Sequence, residues 1–177
     1  MVKLITYPKE IWTIGHSKHP AEEFINILKS FNIELIVDVR RIPYSRRVPQ
    51  FNKENIEQSL IENNFGYVHL PEIGGKRDPI PNSQNTKWRT KAFRGYADYM
   101  ETDEFKEGIR ELCELANEKR TAYMCAEADW KKCHRSLISD HLKTHSVIVN
   151  HIMGINKIQV HPYTYAANVV QGELKYE

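Results

Sequence analysis

The sequence predicts an α/β fold of three layers, in which a mostly parallel sheet of about five strands carries helices on both faces. Short apolar runs rich in β-branched residues alternate with segments whose apolar residues recur at helical spacing. Successive strands are separated by connections long enough for a crossover, which parallel pairing requires. With 177 residues, 41% of them hydrophobic and 27% charged, residues 1–177 are expected to form a single α/β domain.

The first part of the chain predicts three strands and two helices. Ile11–Gly15 is a short β-prone run, and Pro20 opens a helix. Residues 34–39 form the apolar run expected of a strand that is covered on both faces. Asn52 is a suitable cap for the second helix, and Tyr67–Leu70 follows as the third strand.

The second part begins with a polar stretch, residues 71–94, which predicts a long loop. The elements expected after it are a short helix at Tyr96–Met100, a helix at Asp103–Lys119 capped by Thr102, a strand at Thr121–Cys125, a helix at Trp130–Leu142 and a strand at Val147–Ile152. Lys157–His161 can pair back as an antiparallel edge, and residues 163–177 form a C-terminal extension or docking arm.

Composition also indicates the compartment. No apolar run approaches the roughly 18 residues of a membrane span, and Met1–Glu10 lacks the apolar core of a signal peptide. Three cysteines without a framework spacing fit free thiols in a reducing compartment. We therefore expect a cytoplasmic protein with no membrane partner.

Polar motifs follow all five predicted strands. They are Gly15-His16-Ser17, Asp38-Val-Arg40 with Pro43-Tyr-Ser45-Arg46, Glu72 with Gly74-Gly75 and Lys76-Arg77, Cys125-Ala-Glu127, and Asn150-His151. Ligands of open parallel sheets bind beyond the carboxyl ends of the strands, where the loops lead into helices. The sequence therefore predicts a ligand or active site at this edge, with Cys125–Arg135 at its centre.

Several motifs together resemble a known family. They are Thr13-Ile-Gly-His-Ser17, Asp38-Val-Arg40 with Ser45-Arg46, Gly74-Gly75, Tyr96-Ala-Asp-Tyr99, Met124-Cys-Ala-Glu127 and Cys133-His-Arg135. From about Ile11 to His151 the chain resembles the domain of unknown function 488. The resemblance supports the boundaries of the motifs, and it assigns no activity and no catalytic residues.

The expected ligand is anionic, because guanidinium forks and glycine-backed amides suit phosphate oxygens. The candidate substrate-binding residues are Arg40, Ser45, Arg46, His16, Gly74, Gly75, Lys76, Tyr96, His134 and Arg135. Surface solvation explains Arg41, Arg47 and the Lys131-Lys132 pair equally well. Net charge is only +2, so the clustering of cations carries this expectation rather than their total.

The candidate catalytic residues are Glu127, Cys125 and Asp38. Glu127 and Asp38 can act as general acid and base, including in glycosidic-bond chemistry, or each can orient an arginine in a structural ion pair.

The two cysteines of the central segment leave several interpretations open. Cys125 and Cys133 can provide a reactive thiolate at a helix N-terminus, pack in the core, or bind metal with His134 and with His16 or His151. Seven residues separate the cysteines, unlike the short pairs of zinc sites, so no metal or cofactor is expected. A phosphatase-like loop after Cys125 is disfavoured because the nearby carboxylates would repel phosphate.

The leading functional hypothesis is an enzyme, a hydrolase or transferase, acting on a phosphorylated, nucleotide-like or nucleic-acid substrate. One alternative is a non-catalytic nucleic-acid-binding or regulatory domain that uses the same arginines and the loop Lys87–Arg94. In that alternative the aromatic residues Tyr44, Phe51, Trp88, Tyr96 and Tyr99 stack on bases, although they suit a role as core anchors as well. A second alternative is a redox or metal-sensing module built on Cys125 and Cys133.

Overall fold

The structure, a computed structural model, describes residues 3–177, and its central element is a six-stranded sheet. The strands are β1 (Glu10–Gly15), β2 (Leu35–Asp38), β3 (Gly66–His69), β4 (Thr121–Cys125), β5 (Ile148–Gly154) and β6 (Lys157–Val160). They lie in the order β3-β2-β4-β1-β5-β6, and only the β5–β6 pair is antiparallel. The predicted fold class is confirmed, and the expected antiparallel edge is the sixth strand.

Five helices cover the two faces of the sheet. They are α1 (Ala21–Ser30), α2 (Lys53–Glu62), α3 (Lys91–Tyr99), α4 (Asp103–Glu118) and α5 (Arg135–Thr144). Successive side chains of a strand point to opposite faces. In β1, accordingly, Trp12 and Ile14 pack with α1 and α2, whereas Ile11 packs with α3, α4 and α5. The result is the expected three-layer arrangement.

The connections after β2 and β4 run in opposite directions. The chain leaves β2 through α2 to reach β3 on one side, and it leaves β4 through α5 to reach β5 on the other side. The two helices also lie on opposite faces of the sheet. Neighbouring strands whose connections diverge leave a crevice beyond their carboxyl ends, which is where open α/β sheets bind ligands.

The predicted continuous helix Trp130–Leu142 is wrong. A 3-10 turn spans Trp130–Lys132, Cys133 has extended backbone with φ −133° and ψ 152°, and α5 begins only at Arg135. In this bend the Cys133 sulfur accepts a hydrogen bond from the Arg135 amide at 3.4 Å. The segment contains no glycine or proline that would mark the interruption in the sequence. We therefore attribute it to the tertiary contacts of these side chains.

Two other helix starts differ in detail from the prediction. Helix α3 begins at Lys91, five positions before the predicted Tyr96, and Thr90 caps it by accepting a hydrogen bond from an α3 amide. The helix therefore takes up the end of the predicted loop. Asn52 does hold the N-cap position of α2, but its side chain accepts from the Ser45 amide at 2.7 Å instead of from α2.

The C-terminal residues form a hairpin of β7 (Asn168–Val170) and β8 (Glu173–Lys175), which the sequence did not predict. Tyr176 follows the hairpin, and its side chain is buried in the same apolar cluster as α5. Its hydroxyl donates to the Asp140 carboxylate at 2.9 Å. No helix within residues 3–177 combines the length and apolar character needed to cross a membrane.

Candidate functional site

A cavity of about 350 Å³ lies in the crevice between the ends of β2 and β4. Its walls come from the loops after β2, β3 and β4 and from the start of α3. The lining residues are Arg40, Arg41, Ile42, Gly75, Lys76, Ala92, Phe93, Tyr96, Cys125, Ala126, Glu127, Lys132, Cys133 and His134. The volume lies in the range of small-molecule sites.

The cavity brings together seven of the candidate residues, namely Glu127, Cys125, Arg40, Gly75, Lys76, Tyr96 and His134. The candidates that do not line it are Asp38, Ser45, Arg46, His16, Gly74 and Arg135. The cations Arg41 and Lys132, which the sequence left as surface residues, do line it, as does Cys133. The signal available in the sequence was that a residue lies close to the end of a strand. That signal does not show whether the side chain points into the crevice or away from it.

Asp38 is fully buried and paired with Arg40. One carboxylate oxygen accepts from the amide and Nε of Arg40, at 3.1 and 2.9 Å. The other accepts from Nη2 of Arg40 at 2.7 Å and from the Tyr67 hydroxyl at 2.6 Å. These bonds occupy both oxygens, so the geometry favours the interpretation in which Asp38 orients an arginine over the one in which it is an acid or base.

His16 supports the same arginine from below the cavity. Its ring is 2% exposed and stacks on Phe51 with the centroids 4.2 Å apart. Nδ1 donates to the Ser17 carbonyl at 2.8 Å, which leaves Nε2 to accept from Nη1 of Arg40 at 3.2 Å. Burial lowers the pKa of His16 to about 4, so the ring is neutral and can accept this bond.

Arg135 lies beneath the cavity, 1% exposed, and its guanidinium is hydrogen-bonded to four groups of the protein. Nε donates to the Cys125 sulfur at 3.0 Å, and Nη1 donates to Thr13 Oγ1 at 2.9 Å. Nη2 donates to the carbonyls of Glu127 and Ala128, at 2.5 and 3.4 Å. Within residues 3–177, Arg135 forms no salt bridge with a carboxylate. This geometry suits a role in fixing the thiols, not direct contact with a ligand.

The two thiols above Arg135 have opposite pKa shifts. Burial alone would raise the pKa of Cys133, but the hydrogen bond from Cys125 and the charge of Arg135 outweigh it and lower that pKa to about 7. Burial and the hydrogen bond to Cys133 raise the pKa of Cys125 well above its usual value. Such a pair titrates as a unit, and the opposite shifts indicate that Cys133 loses its proton before Cys125.

His134 lies beside Cys133 with its tautomer fixed. Nε2 donates to the Val39 carbonyl at 3.1 Å, so Nδ1 carries the lone pair, 3.6 Å from the Cys133 sulfur. Burial lowers the pKa of His134, which keeps the ring neutral. Gly75 packs against this ring, where a Cβ atom would lie 3.0 Å from Nδ1. Because Gly75 has no side chain, there is room for the His134 ring at this position.

Glu127 is exposed at the rim, and its backbone crosses the end of β1. A Cβ atom on Gly15 would lie 1.7 Å from the Glu127 carbonyl oxygen, so only glycine permits this crossing. The crossing loop is also held by hydrogen bonds at 2.9 Å from the amides of His16 and Ser17. The Glu127 side chain therefore extends from a fixed backbone.

Most of the aromatic residues proposed to stack on bases are packed inside the protein. Phe51 and Trp88 are 0% and 3% exposed, and Trp88 contacts Phe93 and Tyr176 edge-on or tilted. Tyr44 is exposed.

Among the described residues no group of three His, Cys, Asp or Glu side chains has the arrangement of a metal site. All three cysteines are free.

The chain matches the family described as Domain of unknown function DUF488 over residues 20–142. It belongs to the DUF488 family. The matched span contains every residue that lines the cavity of this DUF488 chain. Thr13, His16 and His151 lie outside it. No curated protein and no solved structure matches the chain.

Proposed function

We propose that the cavity is the active site of a thiol-dependent enzyme, a hydrolase or transferase, acting on a phosphorylated or nucleotide-like substrate. One observation carries the proposal: Arg135 is buried with its guanidinium 3.0 Å from the Cys125 sulfur and its backbone amide 3.4 Å from the Cys133 sulfur, and no carboxylate of residues 3–177 is in ion-pair contact with it. Burying an unpaired guanidinium is strongly unfavourable, so a counter-charge is expected. A thiolate of the Cys125–Cys133 pair is the group in position to supply it.

Cys133 is the proposed nucleophile. The thiolate is the reactive form of cysteine, and a positive charge or a helix N-terminus stabilises it. Cys133 has both, because Arg135 is the first residue of α5 and its amide donates to the Cys133 sulfur. Cys125, whose pKa is raised, remains protonated, and its thiol donates to the Glu127 carbonyl at 3.8 Å.

His134 is the proposed base. Its unprotonated Nδ1 can take the thiol proton and later return it to the leaving group, as in other Cys–His pairs. The thiolate sulfur then attacks the electrophilic atom of the substrate, and the leaving group departs with that proton. Glu127 then deprotonates water or an acceptor molecule, whose oxygen bonds to the substrate atom as the bond to sulfur breaks. The exposed Glu127 releases its proton to solvent, and the restored thiolate takes up a proton before the next turnover.

The rim of the cavity supports an anionic substrate. Four cations line it, Arg40, Arg41, Lys76 and Lys132, against one carboxylate. Arg40 is 9% exposed and held by Asp38 and His16, so its guanidinium is already oriented before a ligand arrives. Phe93 and Tyr96 add apolar faces suited to a ring.

Cysteine alkylation tests the proposal. Iodoacetamide is added at a series of pH values from about 6 to about 9.5, and mass spectrometry follows each cysteine separately. We expect Cys133 to react with a midpoint near 7, and adenosine monophosphate or pyrophosphate to slow the reaction. Cys113 is the internal control, because burial raises its pKa to about 12. A Cys133 midpoint near about 8.5, the value of a free thiol, would contradict the proposal.

A further inference from the structure

A chain of buried hydrogen bonds runs from Arg135 away from the cavity to Asp140. Nη1 of Arg135 contacts Thr13 Oγ1 at 2.9 Å, and Thr13 Oγ1 contacts Nδ1 of His151 at 2.8 Å. Nε2 of His151 contacts Nδ1 of His161 at 2.8 Å, and Nε2 of His161 contacts Asp140 Oδ1 at 2.9 Å. All five residues are at most 1% exposed.

The two ends of this chain fix its direction. A guanidinium can only donate and a carboxylate can only accept. With both imidazoles neutral, His161 donates to Asp140, His151 donates to His161, Thr13 donates to His151, and Arg135 donates to Thr13. Each link then has one donor and one acceptor, so no polar atom along the chain is left unpaired.

Neighbouring residues hold Asp140 and His151 in place. Asp140 also accepts from the Thr164 amide and hydroxyl, at 3.0 and 2.6 Å, and from the Tyr176 hydroxyl at 2.9 Å. The ring of Trp130 stacks on His151 with centroids 4.4 Å apart and planes 2° apart. The charged groups in contact with the chain are its own ends, Asp140 and Arg135, and Lys143, whose Nζ donates to the His161 carbonyl at 3.0 Å.

The link at Thr13 is the one that reaches the thiols. A hydroxyl rotates freely unless its proton has an acceptor, and His151 Nδ1 is that acceptor here. Once the proton points to His151, an oxygen lone pair is available to Nη1 of Arg135. With Nη1 held in this way, Nε of Arg135 stays directed at the Cys125 sulfur.

We propose that Thr13, His151 and His161 are positioning residues of the thiol site, which keep Arg135 in the orientation that ionises the cysteine pair. This inference rests on the proposed function and names residues outside the matched span 20–142. The titratable groups that face the thiol pair itself are Arg135, His134, Tyr96 and Tyr123.

Two substitutions of one residue test the inference. Thr13→Val removes the hydroxyl at nearly unchanged volume, and Thr13→Ser restores it. In Thr13→Val we expect the Cys133 alkylation midpoint to rise by about one pH unit, which slows alkylation at neutral pH about fivefold. Thr13→Ser should retain the wild-type profile. The matched control is Thr121→Val, because Thr121 is a 1% exposed threonine of β4 whose hydroxyl donates to the Lys119 carbonyl outside the chain.

A second variant and an NMR spectrum of the wild type keep the test valid if Thr13→Val does not fold. His151→Phe keeps a ring to stack on Trp130 but removes both nitrogens, and it should raise the midpoint as Thr13→Val does. Nitrogen NMR of the wild type should show neutral His151 and His161, both protonated at Nε2. A wild-type midpoint in either folded variant, or a cationic His151 at neutral pH, would overturn the inference. If the wild-type thiols titrate like free cysteine, the proposed function fails instead.

Discussion

The guanidinium of Arg135 lies 3.0 Å from the Cys125 sulfur and forms no salt bridge with a carboxylate of residues 3–177. Replacing Arg135 by Met should therefore return the thiols to ordinary titration and leave the partners of the guanidinium unpaired. We expect a loss of about 3 kcal/mol in the free energy of unfolding, measured with urea, and a higher alkylation midpoint of Cys133. For Arg135→Lys we expect an alkylation midpoint of Cys133 between those of the wild type and Arg135→Met, because lysine keeps the positive charge but lacks the several directed N–H groups of the guanidinium. Unchanged titration in Arg135→Met would show that the arginine does not ionise the pair.

The buried pair of Asp38 and Arg40 predicts a large effect of Asp38→Asn. The substitution leaves a nearly buried guanidinium without its counter-charge, which typically costs about 3–5 kcal/mol. Tyr67→Phe is the matched control, because it removes a single hydrogen bond to the same carboxylate and should cost about 1.5–3 kcal/mol. Urea denaturation of both variants checks the ranking, and equal losses would argue that the charge is unimportant.

Gly75→Ala should impair the site while leaving the fold nearly intact. The added Cβ atom would lie 3.0 Å from Nδ1 of His134, so the ring must move by a few tenths of an ångström. We expect slower alkylation of Cys133 at neutral pH and a change in unfolding free energy of about 1 kcal/mol or less. Gly66→Ala serves as control, since its Cβ would lie 2.9 Å from Leu35 Cδ1 and 3.6 Å from the Glu34 carbonyl oxygen, away from the cavity. An alkylation rate equal to the wild type would remove His134 from the proposed mechanism.

Two buried histidines predict that the protein loses stability in mild acid. Burial lowers the pKa of His16 to about 4 and of His151 to about 2, whereas both titrate near 6.5 in the unfolded chain. The unfolded state therefore binds more protons below about pH 6.5. The stability that each neutral ring contributes is complete above that pH and is lost as the pH falls towards the folded value.

Between the folded and unfolded pKa values, each such histidine contributes a slope of about 1.4 kcal/mol per pH unit, and the buried His134 and His141, whose pKa values are also lowered, add to it. Urea unfolding at about pH 7.5, about 6.5 and about 5.5 measures it. His151→Phe should reduce the slope by the contribution of that one histidine, about 1.4 kcal/mol per pH unit. Equal unfolding free energies at the three pH values would contradict the burial of neutral rings.

Local patterns in the sequence were sufficient to predict most of the layers. The apolar run of β2 and the helical stripe of α4, begun by Thr102, depend on residues close together in the chain. Thr102 Oγ1 does accept from the Phe105 amide, at 3.3 Å, as a capping threonine should. The polar motifs at the strand ends likewise predicted where the cavity would lie, because the carboxyl ends of parallel strands share one edge.

What the sequence did not predict depends on contacts between distant residues. Arg135 and Thr13 are 122 positions apart, and nothing in either neighbourhood indicates that they meet. The hydrogen bond from Nη1 of Arg135 to Thr13 Oγ1 helps to hold the guanidinium under the cavity instead of in it. Cys133 was likewise placed on a continuous helix, whereas the amide of Arg135 and an extended backbone turn its sulfur towards the cavity. Periodicity along one segment carries no information of this kind.

The position of β1 between β4 and β5 has a consequence for the order in which a nascent chain acquires its reactivity. β1 is synthesised first, but its two neighbours span residues 121–154 and leave the ribosome late. Thr13 sits in β1, and its partner His151 sits in β5. Until β5 has emerged, Arg135 lacks the support that directs it to the cysteines. On the proposed function, a nascent chain from which β5 has not yet emerged would carry thiols that titrate like ordinary cysteines.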